Sequence, residues 1–220
     1  GDAAGDQVSN VEHIIGSIYA DIITGVGADE VLEGGGGADI ISGNGGADTL
    51  IGGAGDDILR GGAGLDSLQG GEGDDVLEGG ADADVIDGGS GYDIADYSGS
   101  AAGVTVGLDG SVGIGGDAQG DTLTAIEALR GSAYADTLTG GINADRLEGG
   151  AGDDIVRGGA GADTLLGGSG DDSLEGGAGG DLIDGGTGFD TVDYSASASG
   201  VTVSLDGSAG NAGYTSGGTF

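Results

Sequence analysis

From Gly16 to Asp96 an aliphatic residue returns every ninth position: Ile23, Leu32, Ile41, Leu50, Leu59, Leu68, Leu77 and Ile86, with Ala95 in the last slot. The same spacing runs from Gly131 to Asp193 through Leu138, Leu147, Val156, Leu165, Leu174, Ile183 and Val192. A period of nine suits neither the 3.6-residue stripe of an amphipathic helix nor a long alternating strand. One aliphatic residue between two outward neighbours predicts a three-residue strand, and the glycine-rich half of each nonapeptide predicts a tight turn. Glycine stands at position 1 of all sixteen repeats, nine over 16–96 and seven over 131–193. If two nonapeptides form one coil, repeats n and n+2 stack in register around a thin core of position-8 side chains.

A longer period overlies the short one. Residues 1–25 align without gaps on 116–140, an offset of 115, and 96–111 align on 193–208, an offset of 97. The difference of 18 residues is two nonapeptides, so the second copy reads as the same unit shortened by one coil. The chain is therefore expected to be a segment of a larger tandem array. Its expected organisation is the end of a preceding linker with a degenerate coil over 1–15, the nine-repeat array over 16–96, a β-rich linker over 97–130, the seven-repeat array over 131–193 and the start of a next linker over 194–220. Within the linker, Val104, Val106 and Leu108 alternate as one face of a strand. The nine-residue frame read back from Gly131 places Glu127 at position 6 and Leu129 at position 8, with Glu12 and Ile14 as their counterparts ahead of Gly16.

Position 6 is acidic in every repeat: Asp21, Asp39, Asp48, Asp57, Asp66, Asp75, Asp84, Asp93, Asp136, Asp145, Asp154, Asp163, Asp172, Asp181 and Asp190, with Glu30 as the one glutamate. Stacking brings the carboxylates of repeats n and n+2 together along one edge, where they repel unless a cation lies between them. Calcium fits best, because it takes 6–8 oxygen ligands at irregular angles and glycine turns expose carbonyls to complete the shell. Magnesium demands stricter octahedral geometry, and softer metals want nitrogen or sulfur donors. One ion per stacked pair gives (9 − 2) + (7 − 2) = 12 sites, about a dozen calcium ions. The acids at positions 5 and 9 are expected to face water.

Composition narrows the chemistry further. The chain carries 39 acidic and 4 basic residues, a formal charge of −35, which opposes binding to nucleic acid or anionic membranes. No apolar run reaches the roughly 18 residues of a membrane span. Without cysteine and with one histidine, His13, the chain offers no disulfide framework, zinc-thiolate site or histidine triad. No candidate nucleophile with an activating partner is present, so the segment is read as non-enzymatic.

The pattern G-G-x-G-x-D-x-U-x resembles the RTX (repeats-in-toxin) calcium-binding nonapeptide, which the repeats carry in 144 of 220 residues. This resemblance implies an all-β, right-handed parallel β-roll (β-solenoid) with calcium bound between successive turns, and the fifteen aspartates named above as its ligands. It also implies a secreted, extracellular or cell-surface bacterial protein exported by type I secretion. The departures are Tyr19, Tyr134, Asp82 and Asn143 at position 4 and Glu30 at position 6. The expected function is a calcium-rigidified extender of an adhesin, surface-layer or matrix protein. The alternative is the C-terminal secretion and folding module of an exported enzyme whose catalytic domain lies elsewhere. If alternate repeats share a sheet, Ile22, Ile40, Ile58, Val76 and Ile94 form an outward apolar stripe, a candidate for lateral self-association or surface contact.

Overall fold

The computed structural model describes residues 8–198, 200–203 and 205. Of the expected linker segments, residues 1–7, 199, 204 and 206–220 fall outside these. Among the described residues twenty short strands follow one another. Through the first array run β1 (His13–Ile15), β2 (Ile22–Thr24), β3 (Val31–Gly36), β4 (Ile40–Gly45), β5 (Thr49–Ala54), β6 (Ile58–Ala63), β7 (Ser67–Glu72), β8 (Val76–Ala81), β9 (Val85–Ser90) and β10 (Ile94–Asp96). The linker holds β11 (Thr105–Gly107), β12 (Thr122–Thr124) and β13 (Ala128–Arg130). The second array holds β14 (Thr137–Thr139), β15 (Arg146–Ala151), β16 (Ile155–Ala160), β17 (Thr164–Ser169), β18 (Ser173–Ala178), β19 (Leu182–Thr187) and β20 (Thr191–Val192).

Strands of repeats n and n+2 pair in parallel, as in Leu32 opposite Leu50 and Leu50 opposite Leu68. The chain is thus an all-β parallel β-roll. The position-8 side chains are its core: Leu32, Ile41, Leu50, Leu59, Leu77, Ile86, Leu138, Leu147, Val156, Leu165 and Leu174 are fully buried. In most repeats the strand runs for six residues instead of the expected three, through positions 7–9 and on through positions 1–3 of the next repeat. The reason is that position 1 lies on the same inward face as position 8, as the burial of alternate residues shows. The turn proper shrinks to positions 4–6.

Three sheets result. Sheet A has the order β1-β3-β5-β7-β9-β12, sheet B runs β2-β4-β6-β8-β10-β13-β15-β17-β19, and sheet C runs β11-β14-β16-β18-β20. Sheet B is common to both arrays. Its seam is the pairing of β10 with β13, where Ala95 faces Leu129 and Asp96 faces Arg130. Leu129 is fully buried and fills the position-8 slot that the nine-residue frame gives it. Arg130 ties the two arrays together on the outside, at 2.7 Å from Asp96 and 3.3 Å from Glu148.

The rest of the linker spans the gap between sheets A and C. Gly113 accepts from Gly120 and donates to the Asp121 carbonyl at the end of sheet A, both at 2.9 Å. Its neighbour Ile114 exchanges two backbone hydrogen bonds with Thr105 at the head of sheet C. Val104 and Val106 are buried and Leu108 packs against the core, so the alternating face expected there points inward.

On the outer face, Ile22, Ile40, Ile58, Val76 and Ile94 stack in one ladder of sheet B. Ile22 is exposed, while Ile58, Val76 and Ile94 are half-buried. The position-9 acids depart from the expectation of free solvation. Glu78, Glu148 and Glu175 pair with Arg60, Arg146 and Arg157, and Glu33 pairs with His13. Parallel stacking sets side chains 18 residues apart beside one another, which places Arg60, Arg130 and Arg157 next to an acid, while Arg146 reaches Glu148 two residues along its own strand.

Candidate metal centre

Most turns repeat one arrangement. Outside Asp21, Asp136 and Asp145, the Oδ1 of each position-6 aspartate accepts the backbone N–H of the position-6 residue two repeats earlier, as Asp57 does from Asp39 at 2.7 Å and Asp163 does from Asp145 at 2.9 Å. The other carboxylate oxygen points inward toward position 1 of its own repeat. At Asp39, Asp48, Asp57, Asp66, Asp75, Asp84, Asp93, Asp154, Asp163 and Asp172 this Oδ2 is buried without a hydrogen-bond partner. Ten such atoms, divided between the two edges of the roll because successive repeats turn on alternate sides, are a strong departure from the rule that buried polar groups are paired.

Position 1 explains what surrounds them. A Cβ on Gly52 would overlap Asp57 Oδ2 and close on the carbonyl oxygen of Gly70, and Gly61, Gly149 and Gly167 have the same surroundings. Glycine is required at position 1 because a carboxylate and the next coil's carbonyl both approach its Cα. At positions 2 and 4 the cause is different: Gly62 and Gly64 adopt φ of 114° and 132°, which side-chain-bearing residues rarely take.

Burial dominates the acidity of these carboxyls. It pushes Asp84 up to about 7 and Asp75, Asp93, Asp154 and Asp163 up to about 6. The accepted backbone hydrogen bond works against this, and repulsion from neighbouring aspartates adds to it. Among the described residues no three acidic or imidazole side chains converge, so carboxylates alone do not make a shell. The donors available at each turn are aspartate oxygens and glycine carbonyls. That set suits a hard, oxygen-seeking cation with flexible coordination, which is the chemistry of calcium.

All fifteen aspartates expected from the sequence sit in these turns, but they differ in what the second oxygen does. In Asp21, Asp136 and Asp145 it accepts a hydrogen bond from the position-2 N–H of the same repeat, at 2.6 Å from Ser17, Ser132 and Gly141. Glu30 accepts likewise from Val26. These are the repeats whose position 4 or 6 departs from the consensus, apart from the repeat of Asp82. There Asp82 takes the left-handed conformation itself, at φ 81°, and Asp84 keeps its orphaned oxygen.

Two further acids each extend one ladder of position-6 acids. Glu127 Oε2 accepts the Asp93 N–H at 2.9 Å, as the frame anticipates. Asp121, absent from the sequence expectation, is buried and accepts the Asp84 N–H at 2.8 Å. Its Oδ2 also accepts the hydroxyl of the buried Tyr97 at 3.0 Å. Asp121 precedes Glu127 by six residues instead of nine, so the period hid it. The local signal was G-D-T-L, which has the D-x-U spacing of the repeats. The position-5 acids form a ladder of their own: Asp56, Asp74, Asp153 and Asp171 accept N–H groups from position 5 of the next coil.

A pH dependence follows. Without metal, carboxyls whose folded value lies above the ordinary 3.8 favour the fold at low pH, and that contribution is lost as pH rises through about 6–7. With calcium the order reverses, because protons and the ion compete for one oxygen. At pH 5 a carboxyl at about 6 is roughly nine-tenths protonated, which weakens each such site about tenfold. Calcium titrations followed by circular dichroism are expected to show a higher midpoint at pH 5 than at pH 7.5. An unchanged midpoint would contradict direct binding by these aspartates.

Comparison with protein families gives matches to the RTX calcium-binding nonapeptide repeat at residues 9–41, 24–59, 60–95, 121–156, 130–165 and 157–192. Together they cover 9–95 and 121–192, which is 87 + 72 = 159 of the 220 residues. The second block opens on Asp121, where sheet A gains its last strand. A search of curated proteins finds no match. With the period, the parallel stack and the row of inward carboxylates in agreement, the chain belongs to the family of RTX calcium-binding nonapeptide repeats.

Proposed function

We propose that the chain is a calcium-folded spacer of a large exported bacterial protein, with the position-6 aspartates from Asp39 to Asp93 and from Asp154 to Asp190 as its principal calcium ligands. The observation that carries this reading is the set of ten buried, partnerless Oδ2 atoms, in turns on both edges of the roll, beside the position-1 glycines. Calcium held there supplies positive charge between stacked carboxylates and lets a chain of charge −35 close into coils. The chain's own residues do the rest. Position-8 side chains exclude water, position-1 glycines leave room, and Oδ1 atoms fix each carboxylate to the coil before it. Asp21, Asp136 and Asp145 belong to the sequence-derived ligand set but already use their second oxygen, so their sites are the weaker ones.

The spacer role, as part of an adhesin, surface layer or matrix, is supported by the 115-residue offset and by the unbroken sheet B, which makes two arrays one rod. Such a segment contributes length and stiffness rather than catalysis. The alternative, a folding module attached to an exported enzyme, needs a catalytic domain next to it. Secretion through a narrow type I channel accords with a chain that folds only on meeting extracellular calcium.

Ion counting is the test. Equilibrium dialysis with elemental analysis should give about a dozen calcium ions per chain. Replacing Asp57 and Asp66 with asparagine, which keeps size and one acceptor oxygen, should remove about two. Fewer than about six ions in the parent chain, or an unchanged count in the variant, would sink the ligand assignment.

A further inference from the structure

The two ends of the solenoid carry the two halves of the seam found in its middle. At the seam, the N–H of Asp93 meets Glu127, the N–H of Ala128 meets the Asp93 carbonyl at 3.0 Å, and Leu129 packs on Ala95. The 97-residue offset makes Asp190, Thr191, Val192 and Asp193 the counterparts of Asp93, Ile94, Ala95 and Asp96. The 115-residue offset makes Glu12, His13, Ile14 and Ile15 the counterparts of Glu127, Ala128, Leu129 and Arg130. Among the described residues β1 pairs with β3 alone and β20 with β18 alone, so each has one open edge.

Burial differs between the seam and these two strands. Leu129 is fully buried where Ile14, in the same slot, is only half-buried, and Ala95 is fully buried where Val192 is half-buried. Exposed apolar side chains gather at the same two ends, with Ile15 at 66 % and Phe189 at 78 %. An open parallel edge is a template for another chain, and a second copy of this chain presents the strand whose sequence matches the one that fills the seam.

We propose that calcium-folded copies of this chain associate head to tail, β20 of one copy pairing with β1 of the next, so that sheet C runs on into sheet A of the following copy. Glu12 accepts the Asp190 N–H, the His13 N–H meets the Asp190 carbonyl, and Ile14 closes the core over Val192, as their counterparts do at the seam. The contact joins unlike surfaces and does not close on itself, so it propagates as a linear series of oligomers. The proposal rests on the calcium-folded spacer above and deepens it.

Sedimentation velocity of the 220-residue chain, with circular dichroism on the same samples, tests it. In millimolar calcium the average mass should rise above the 20.5 kDa monomer with increasing protein concentration. His13→Pro removes an N–H that by register points to the open edge, and proline is tolerated at the first residue of an edge strand, so this variant should fold and stay monomeric. Ile15→Arg restores the seam's arginine between Glu33 and the preceding copy's Asp193, and should tighten association by up to about fivefold. Ile40→Thr/Ile58→Thr, which strips the outward stripe of sheet B, should associate like the parent. Folded chains that stay monomeric at every concentration would overturn the proposal. So would association that survives His13→Pro but is lost in the stripe variant, because the contact would then be lateral. A chain that shows no strand signal in calcium would instead refute the spacer reading.

Discussion

Removing calcium is expected to abolish the strand spectrum of this chain. Ten carboxylate oxygens lie buried without a partner, and an unsatisfied buried polar group costs roughly 1–3 kcal/mol, more when charged. Even the low end of that range, taken ten times over, rivals the 5–15 kcal/mol that holds an ordinary domain together. The core offers little in return, being a thin layer of position-8 side chains from alternate sheets with a few linker residues. Circular dichroism in excess EGTA at pH 7.5 should therefore show an unfolded chain. Strand signal should return at about 10⁻⁴–10⁻³ M free calcium, the range of extracellular modules. Magnesium at equal concentration should restore much less, because it gives up its waters reluctantly and demands octahedral geometry. A strand spectrum that persists in EGTA would contradict calcium-dependent folding.

Leu129→Ala should uncouple the two arrays. Truncating a fully buried leucine costs about 2–5 kcal/mol through lost burial and the cavity left behind. In a solenoid each coil touches only its neighbours, so stability is close to a sum of local terms and a weak coil divides the rod. Leu129 sits at the seam, where sheet B is the one sheet running through both arrays. Thermal unfolding in calcium is expected to split into two steps, and limited proteolysis should release two array-sized fragments by cutting near the linker. Leu59→Ala removes the same volume inside the first array, from β6, and serves as the comparison. If the two variants shift one common transition equally, the seam has no special standing.

Much of this architecture was legible in the residues because it is periodic. A nine-residue frame kept through sixteen repeats leaves one inward apolar position and one stacked acid, and parallel stacking of n on n+2 follows from the alternation of strands. The same frame located Leu129 and Glu127 in the linker, although no glycine marks that repeat. What the period carries is local: which side chain points inward, where the chain turns and which residues stand 18 apart.

The tertiary structure decided whatever depends on contacts outside that frame. Strands run on through positions 1–3 because the position-1 glycine shares the inward face of position 8, a matter of how two coils approach. Tyr19, Tyr134 and Asn143 mark the repeats of Asp21, Asp136 and Asp145 as departures in sequence, but only the fold shows the consequence, that their own position-2 N–H groups occupy the oxygen left open in most other repeats. Asp121 joins the row from outside the period because the turn between β12 and β13 is shorter by three residues. The sequence divides the chain into two arrays and a linker, while the fold carries sheet B across that division by pairing Ile94 with Ala128, 34 residues away. Period and residue type determine local geometry by sterics and burial. Which distant strand completes a coil depends on edges that exist only after the neighbouring coils have formed.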